Sequence, residues 1–297
     1  MEDGILYLGT AGDPPVTAIY CVYDRGECAI IEPGPNSGAR SVVEWVSRAG
    51  IGAEEVKYLV ATHVHLDHAG ASAALLKAYP RSRLVVYRGG AKHMIDPAQL
   101  VASASSVLGP FLEMWGGMPA VEPGRVVETA EGETIKVGGT DLHIVYSPGH
   151  APYHMSVWAR HRGSLFTGDA VGMYTEQTKT LWPASPPPSF RFDMQFDTLG
   201  KLARLGARRL LIPHYRPVED ADGFFRLNVN VYSRWHEVLA AAREEQSLEE
   251  VAKELVRSVE GYGWIPDAGL VWQTFKMHVA GFLQAERRSA GQGDSAR

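Results

Sequence analysis

The 297-residue chain predicts an α/β sandwich followed by a helical C-terminal extension, and three observations carry that expectation. Short apolar runs alternate with segments of helical spacing, the strand–helix–strand rhythm of layered α/β folds. Several of the runs end on a His or Asp, the position at which open α/β sheets present their ligands. Beyond His214 the strand pattern stops and only helical spacing continues.

Taken in order, Ile5 to Ile31 reads as two or three strands, with turns at Gly12-Asp13-Pro14-Pro15 and Asp24-Arg25-Gly26. Ser41 to Ala49 is a helix carrying Val42, Val43, Trp45 and Val46. Val56 to Ala61 is a buried strand, Ala69 to Ala78 a helix opened by a glycine, and Leu84 to Tyr87 a strand. Residues 91–119 spread His93, Met94, Leu100, Val107, Leu108, Phe111, Leu112, Met114 and Trp115 at helical spacing. They form a helical insert that packs on the core or, as the alternative, covers the site as a lid. Val126 to Val145 reads as strands turning at Gly138-Gly139.

Tyr174 to Phe192, with Trp182, Pro183 and Pro186-Pro187-Pro188, reads as a long irregular loop that lines a pocket, with Tyr174 and Trp182 as candidate walls, or, as the alternative, as a stiff linker. From Asp193 the spacing of Leu199, Leu202 and Leu205 is helical as far as Gly206. Phe224 to Arg243 is a long helix, Ser247-Leu248-Glu249-Glu250 a capping box opening a helix through Val259, and Leu270 to Arg287 a last helix. Ser289 to Arg297 is a polar tail expected to be disordered. The expected domains are thus 1–218, a helical extension 219–288, and the tail 289–297.

Between the strand ending at Ala61 and the following helix stands Thr62-His63-Val64-His65-Leu66-Asp67-His68. Imidazole nitrogens and a carboxylate in one strand-to-helix loop are the donors that Zn²⁺, Fe²⁺ and Mn²⁺ take, without any thiolate. The spacing differs from His-Glu-x-x-His, which puts two histidines on one helical face. One loop cannot enclose an ion, so distant ligands are required. Pro148-Gly149-His150, Gly168-Asp169 and Pro213-His214 each follow a strand-like run and supply them.

With these motifs in this order, the sequence resembles the metallo-β-lactamase superfamily of hydrolases over residues 5–218. The resemblance implies an αββα sandwich with two metal ions at one edge, Zn first and Fe or Mn as alternatives. His63, His65 and His150 would hold one ion, Asp67, His68 and His214 the second, and Asp169 would bridge them. Two positions depart from the family pattern. Glu32 stands where an Asp is usual after the early strand, and Tyr215 follows His214 where a small residue is common. The C-terminal helices resemble the extensions of the glyoxalase II-like and lactamase-beta-2-like branches, where they shape the substrate site; packing or a homodimer contact are their other uses.

Composition narrows the rest. With 45% hydrophobic and 21% charged residues the chain has ordinary globular content, and a net charge of −5 argues against a nucleic-acid partner. Cys21 and Cys28 are expected to be buried free thiols of a reducing compartment. Met1-Glu2-Asp3-Gly4 opens no signal peptide and no run suffices for a membrane span, so a cytoplasmic protein is expected.

The implied chemistry is hydrolysis of an ester-like bond in a small-molecule substrate, by hydroxide generated on two divalent ions. Asp67 would orient the water and take its proton, and His154, four residues past His150, would donate to the developing oxyanion or act as a supporting histidine. Pro148 to His154 looks most like the glyoxalase II-type thioesterases, which favours a thioester or lactone. The alternatives are phosphodiester or RNA cleavage at the same ligands, or a mononuclear Fe²⁺ persulfide dioxygenase using His63, His65 and Asp169. A closed structural metal site fits poorly, because the ligand set exceeds the four such a site needs. His93, His143, His161, His236 and His278 are read as structural.

Overall fold

The structure is a computed structural model describing residues 4–12, 16–109, 111–175 and 178–294. The chain begins with strands β1 (Ile5–Ala11), β2 (Thr17–Asp24) and β3 (Glu27–Ile31), helix α1 (Ala39–Arg48) and strand β4 (Val56–Val60). Helices α2 (Leu66–Ala69) and α3 (Ser72–Ala78), strand β5 (Arg83–Tyr87) and helices α4 (Ala91–Ile95), α5 (Ala98–Leu108) and α6 (Phe111–Met114) follow. Then come β6 (Val126–Thr129), β7 (Thr134–Val137), β8 (Thr140–Tyr146), β9 (Met155–Ala159), β10 (Ser164–Phe166), β11 (Met173–Thr175) and β12 (Thr180–Trp182). The last elements are α7 (Phe192–Ala203), β13 (Arg209–Leu211), β14 (Pro217–Val218), α8 (Ala221–Ala240), α9 (Leu248–Ser258) and α10 (Gly269–Asp294).

Two compact units form from this chain. The first is Met1–Ser147, Tyr153–Gly168 and Ala207–Ala221; the second is Pro148–Pro152, Asp169–Gly206 and Asp222–Arg297. The excursions of the second unit at 148–152 and 169–206 carry no mark in the sequence.

The first unit holds two six-stranded sheets, ordered β1-β2-β3-β4-β5-β6 and β14-β13-β10-β9-β8-β7. Strands β3 to β6 run parallel, and residues 28–31 of β3 and 84–86 of β5 are apolar and buried on both faces. In β2, Ala18, Tyr20 and Val22 enter the core between the sheets with Ile144, Val157 and Phe166. Ile19 and Cys21 point the other way, into a second core with Val42 and Val46 of α1 and Leu75 and Leu76 of α3. The β2–β3 hairpin closes on Arg25 and Gly26 with φ of 49° and 79°, the double positive φ that a two-residue turn of the strands' own twist requires. Residues 91–119 pack on the second core: Met94, Trp115 and Met118 are buried in it, and Leu100, Leu108 and Phe111 lie against it. Cys21 and Cys28 are free and buried, and their mutual hydrogen bond together with burial pushes the Cys28 thiol pKa up.

In the second unit the stretch predicted to be irregular from Tyr174 contains a short hairpin, β11 paired with β12. Trp182 is not a pocket wall. It is buried, stacked on Trp264 at 5.9 Å and edge-on to Phe275 at 5.5 Å, with its indole N–H on Met173 Sδ at 3.4 Å. A large indole next to prolines finds its apolar surface in the C-terminal helices, and burial there outweighs exposure. Tyr174 is half-buried beside Phe224. Helix α9 begins with the predicted capping box: Ser247 Oγ accepts from Glu250 N, and Ser247 N donates to Glu250 Oε2. Helix α10 continues to Asp294, so 289–294 are helical where a disordered tail is predicted; no proline interrupts them and Ser289 Oγ donates to Ala285 O. Residues 295–297, like the turn at 13–15, lie outside the described residues. No helix among the described residues is long and apolar enough to cross a membrane.

Candidate metal centre

The loop after β4 is fixed by backbone bonds before any ligand is considered. Glu32 N donates to Val60 O and Ala61 N to Val85 O, which carry the parallel ladder to its end. His65 is extended, and its carbonyl accepts from His68 N and Ala69 N, so α2 starts there. Asp67 and His68 therefore sit in the first turn while His63 and His65 lie on the extended approach. Reciprocal bonds, Gly34 N to His68 O and Ala71 N to Gly34 O, register the Glu32–Gly34 loop against α2. His214 arrives by another route: Tyr20 Oη donates to Ile212 O and Ala18 N to Pro213 O.

Asp67, His68 and His214 bring one ligand atom each to within 4.8 Å of one another. Asp67 Oδ2 is 3.4 Å from His68 Nε2 and 3.6 Å from His214 Nε2. Two ligands about 2.0–2.1 Å from one tetrahedral ion are roughly 3.3–3.4 Å apart, so these separations are close to what a shared cation requires. His63 Nε2 and His65 Nδ1 are 2.9 Å apart, and the His63 and His68 ring centroids 4.1 Å. His63 and His68 are buried, while His65 and His214 are half-buried.

The outer hydrogen bonds decide which nitrogen faces the cluster. The Thr62 hydroxyl donates to Glu32 Oε1 at 2.6 Å, so its oxygen accepts from His63 Nδ1–H at 3.1 Å. His68 Nδ1–H faces Glu32 Oε2 at 3.3 Å, and His214 Nδ1–H donates to Val16 O at 3.0 Å. Neutral imidazoles held this way turn their Nε2 lone pairs on Asp67 and on each other. Imidazole nitrogens and a carboxylate oxygen converging within 4.8 Å in a largely buried place are a donor set that fits a divalent cation. Glu32, where an Asp is usual, spans both Thr62 and His68 from a left-handed backbone, φ 61°.

The second unit carries the two remaining predicted ligands. His150 Nε2 is 3.4 Å from Asp169 Oδ2, both side chains are buried, and His150 Nδ1–H donates to Ala184 O at 2.8 Å. Helix α7 holds this loop: Arg191 N donates to Gly149 O and Thr198 Oγ1 to Pro148 O. Gly149 has φ 130°, and a Cβ there would fall on Gln195 Cα. Only glycine allows that approach.

Some assignments change. His154 is fully buried, its Nδ1 on Ser147 Oγ at 2.8 Å and its ring 5.1 Å from His63. Ser147 in turn meets Ser156, whose hydroxyl donates to Thr167 O. Enclosed on this network, His154 supports the His63 side of the loop and has no exposure with which to meet a substrate oxyanion. Tyr215 is half-buried with the Arg216 guanidinium over its ring at 5.2 Å. Among the remaining histidines, His143 bonds Thr134, His236 pairs with Glu286, His278 accepts from Ser185 N, and His93 lies beside Tyr153. Sequence reasoning missed Thr62 and Ala184. Thr62 is marked only by adjacency to His63, and a backbone carbonyl leaves no mark at all.

Comparison with known proteins agrees with this geometry. The family model described as the metallo-beta-lactamase superfamily matches residues 12–214. The metallo-beta-lactamase fold-containing protein ST1585 of Sulfurisphaera tokodaii is 33% identical over 138 residues, covering 45% of this chain and 51% of that protein. Its crystal structure superposes with a TM-score of 0.70 over 96% of this chain and 98% of that one; at 22% identity in the superposition this likeness shows the fold. A hydroxyacylglutathione hydrolase of Synechococcus is 29% identical over 148 residues, 50% of this chain and 45% of the relative. The thioesterase pkgB of Emericella nidulans is 31% identical over 116 residues, 39% of this chain and 24% of the relative. The chain thus spans about half the length of the first two relatives. A family model matched over most of the chain, two mixed sheets with a helical C-terminal region, and His and Asp groups spaced for a metal place this chain in the metallo-β-lactamase superfamily, a superfamily of metal-dependent hydrolases.

Proposed function

We propose that the chain hydrolyses an ester-like bond, thioesters first and lactones second, at a centre of two divalent metal ions, zinc before iron or manganese. His63, His65 and His150 would hold one ion, Asp67, His68 and His214 the other, and Asp169 would serve both. The observation that carries this reading is Asp67 Oδ2 lying 3.4 and 3.6 Å from two Nε2 atoms whose rings are locked from behind by oxygen acceptors. When bound, divalent ions lower the pKa of water toward ~7 and polarise a carbonyl oxygen.

The chain's own residues do the rest. Asp67 accepts a proton from the attacking water. His65 and His214, the half-buried imidazoles of the set, would border the side from which a substrate arrives. Glu32 and Thr62 keep His63 and His68 in the tautomer that leaves Nε2 unprotonated. The thioester preference is supported by the hydroxyacylglutathione hydrolase and thioesterase relatives.

The test is elemental analysis of the purified protein, metal by metal and per chain. It is joined to assays on an S-hydroxyacylglutathione, a lactone and an aryl phosphodiester. About two zinc ions per chain, with thioester turnover lost in His65→Ala and Asp67→Ala, is the expected result. About one iron per chain with oxygen uptake on a persulfide would replace this reading with a dioxygenase. Turnover of the phosphodiester alone would replace it with a nuclease-like activity. A fully metallated, active Asp67→Ala protein would sink the mechanism.

A further inference from the structure

The segment from Pro183 to Phe190 carries the carbonyl on which His150 is hung. Its sequence is Pro183-Ala184-Ser185-Pro186-Pro187-Pro188-Ser189-Phe190, and proline has no N–H. Through Pro188, only Ala184 and Ser185 keep a backbone donor, so the segment cannot hold itself in a ladder. Both donors are taken by side chains of the C-terminal helices. Ala184 N donates to Tyr232 Oη of α8 at 3.2 Å, and Ser185 N to His278 Nδ1 of α10 at 2.9 Å. Ser185 Oγ adds a bond to His278 O at 2.9 Å.

Helix α10 also approaches by shape. A Cβ at Gly281 would fall on Ser185 O and lie 2.7 Å from Pro186 C and Pro187 N, so backbone rests on backbone at that turn. About two turns further on, the Arg288 guanidinium donates to Pro188 O at 2.7 Å and Phe190 O at 2.8 Å. Ala184, Ser185 and Tyr232 are fully buried and His278 nearly so.

We propose that Tyr232, His278 and Gly281 are positioning residues for His150. They fix the Ala184–Ser185 backbone, and through the Ala184 carbonyl they set the orientation of the His150 ring and the direction of its Nε2. The C-terminal extension is then part of the metal centre's support and not only a packing or substrate-covering appendage. This rests on His150 being a metal ligand. Outer hydrogen-bond partners of a ligating histidine are worth about 10–100-fold in metal affinity.

The experiment measures zinc affinity by competition with a chromophoric chelator, the visible spectrum of the cobalt-substituted protein, and the thermal midpoint. The variants are His278→Leu, His278→Asn, Gly281→Ala, Tyr232→Phe and His150→Ala. Trp272→Leu, on α10 but touching Glu249, Lys276 and Phe275, is the control. His278→Leu, Gly281→Ala and Tyr232→Phe should each lose about tenfold in affinity for one ion and shift the cobalt spectrum. His278→Asn, whose amide oxygen sits where Nδ1 stands and can accept from Ser185 N, should recover most of the loss. Trp272→Leu should lower the thermal midpoint and leave affinity and spectrum unchanged. Tyr232→Phe deletes a single oxygen and keeps the test open where Gly281→Ala fails to fold. Parent-like affinity and spectrum in the three positioning variants, with metal lost in His150→Ala, would overturn this inference and spare the ligand reading. Unchanged metal content in His150→Ala would overturn both.

Discussion

Glu32 Oε2 lies 3.3 Å from His68 Nδ1 while the other carboxylate oxygen takes the Thr62 hydroxyl at 2.6 Å. One buried carboxylate thus orients a histidine at each end of the metal loop, His68 directly and His63 through Thr62. Glu32→Gln replaces one acceptor oxygen by an NH₂ donor, which must face either the Thr62 hydroxyl or His68 Nδ1–H. The expected result is a 10–100-fold loss of metal affinity and about 1–3 kcal/mol of stability. Glu32→Asp keeps the charge but is a methylene short of spanning both partners, so it should not restore affinity. Chelator competition and thermal unfolding check both; wild-type affinity in Glu32→Gln would remove Glu32 from the support of the site.

Metal removal should weaken the protein without unfolding it. The two apolar cores of the first unit contain none of the proposed ligands, so the sheets have their own source of stability. Bound metal adds the linkage term, about 4 kcal/mol when free metal is ~1,000 times the dissociation constant. Dialysis against a strong chelator should therefore lower the thermal midpoint by several degrees and leave the far-ultraviolet circular dichroism unchanged. Adding zinc back should restore the midpoint. A midpoint indifferent to the chelator would count against a metal centre in the folded state.

Gly149→Ala tests the turn that presents His150. A methyl there meets Gln195 Cα and lies 2.6 Å from Gln195 N, and φ 130° is a conformation that L side chains rarely adopt. Strain and overpacking together should cost about 2–4 kcal/mol, with loss of metal as α7 is pushed away. Gly132→Ala separates the two causes: its φ is 80°, but nothing lies within 4 Å of a Cβ. That variant should lose about 1 kcal/mol and keep its metal. Equal metal loss in both variants would remove the steric argument.

The candidate ligands were legible because each is a side chain with a chemistry of its own, set just past an apolar run. The strands were legible because residues 18–22 of β2 and 28–31 of β3 are buried on both faces and read as runs of Ala, Ile, Val, Cys and one Tyr. What stayed hidden depends on partners far along the chain. Trp182 beside a proline run is equally compatible with a wall and a core; Trp264 and Phe275 decide it. His154 looks like a donor by its spacing from His150, but Ser147 and Ser156 enclose it. The Ala184 carbonyl has no sequence signal, because its role comes from where the prolines leave no N–H.

The alkaline limb of stability follows from buried phenols. Burial is the first cause raising the pKa of Tyr20, Tyr79, Tyr232 and Tyr262 above the ordinary tyrosine value. At Tyr232 the nearby Asp169 carboxylate pushes the same way, and at Tyr262 the hydrogen bond from Trp235 opposes it. A folded pKa above the unfolded value of about 10 favours the folded state below pH ~10. That contribution is lost as the pH climbs from about 10 toward the folded values, because only the unfolded chain then releases these protons. Absorbance at 295 nm, followed together with far-ultraviolet circular dichroism, should show these four of the 12 tyrosines ionising only as the fold is lost. Their phenolate signal should rise in one cooperative step that coincides with the loss of ellipticity. Ionisation of all 12 near pH 10, with the ellipticity still native, would show that these hydroxyls reach solvent without unfolding, and the packing assigned to Tyr232 around Ala184 would fall with it.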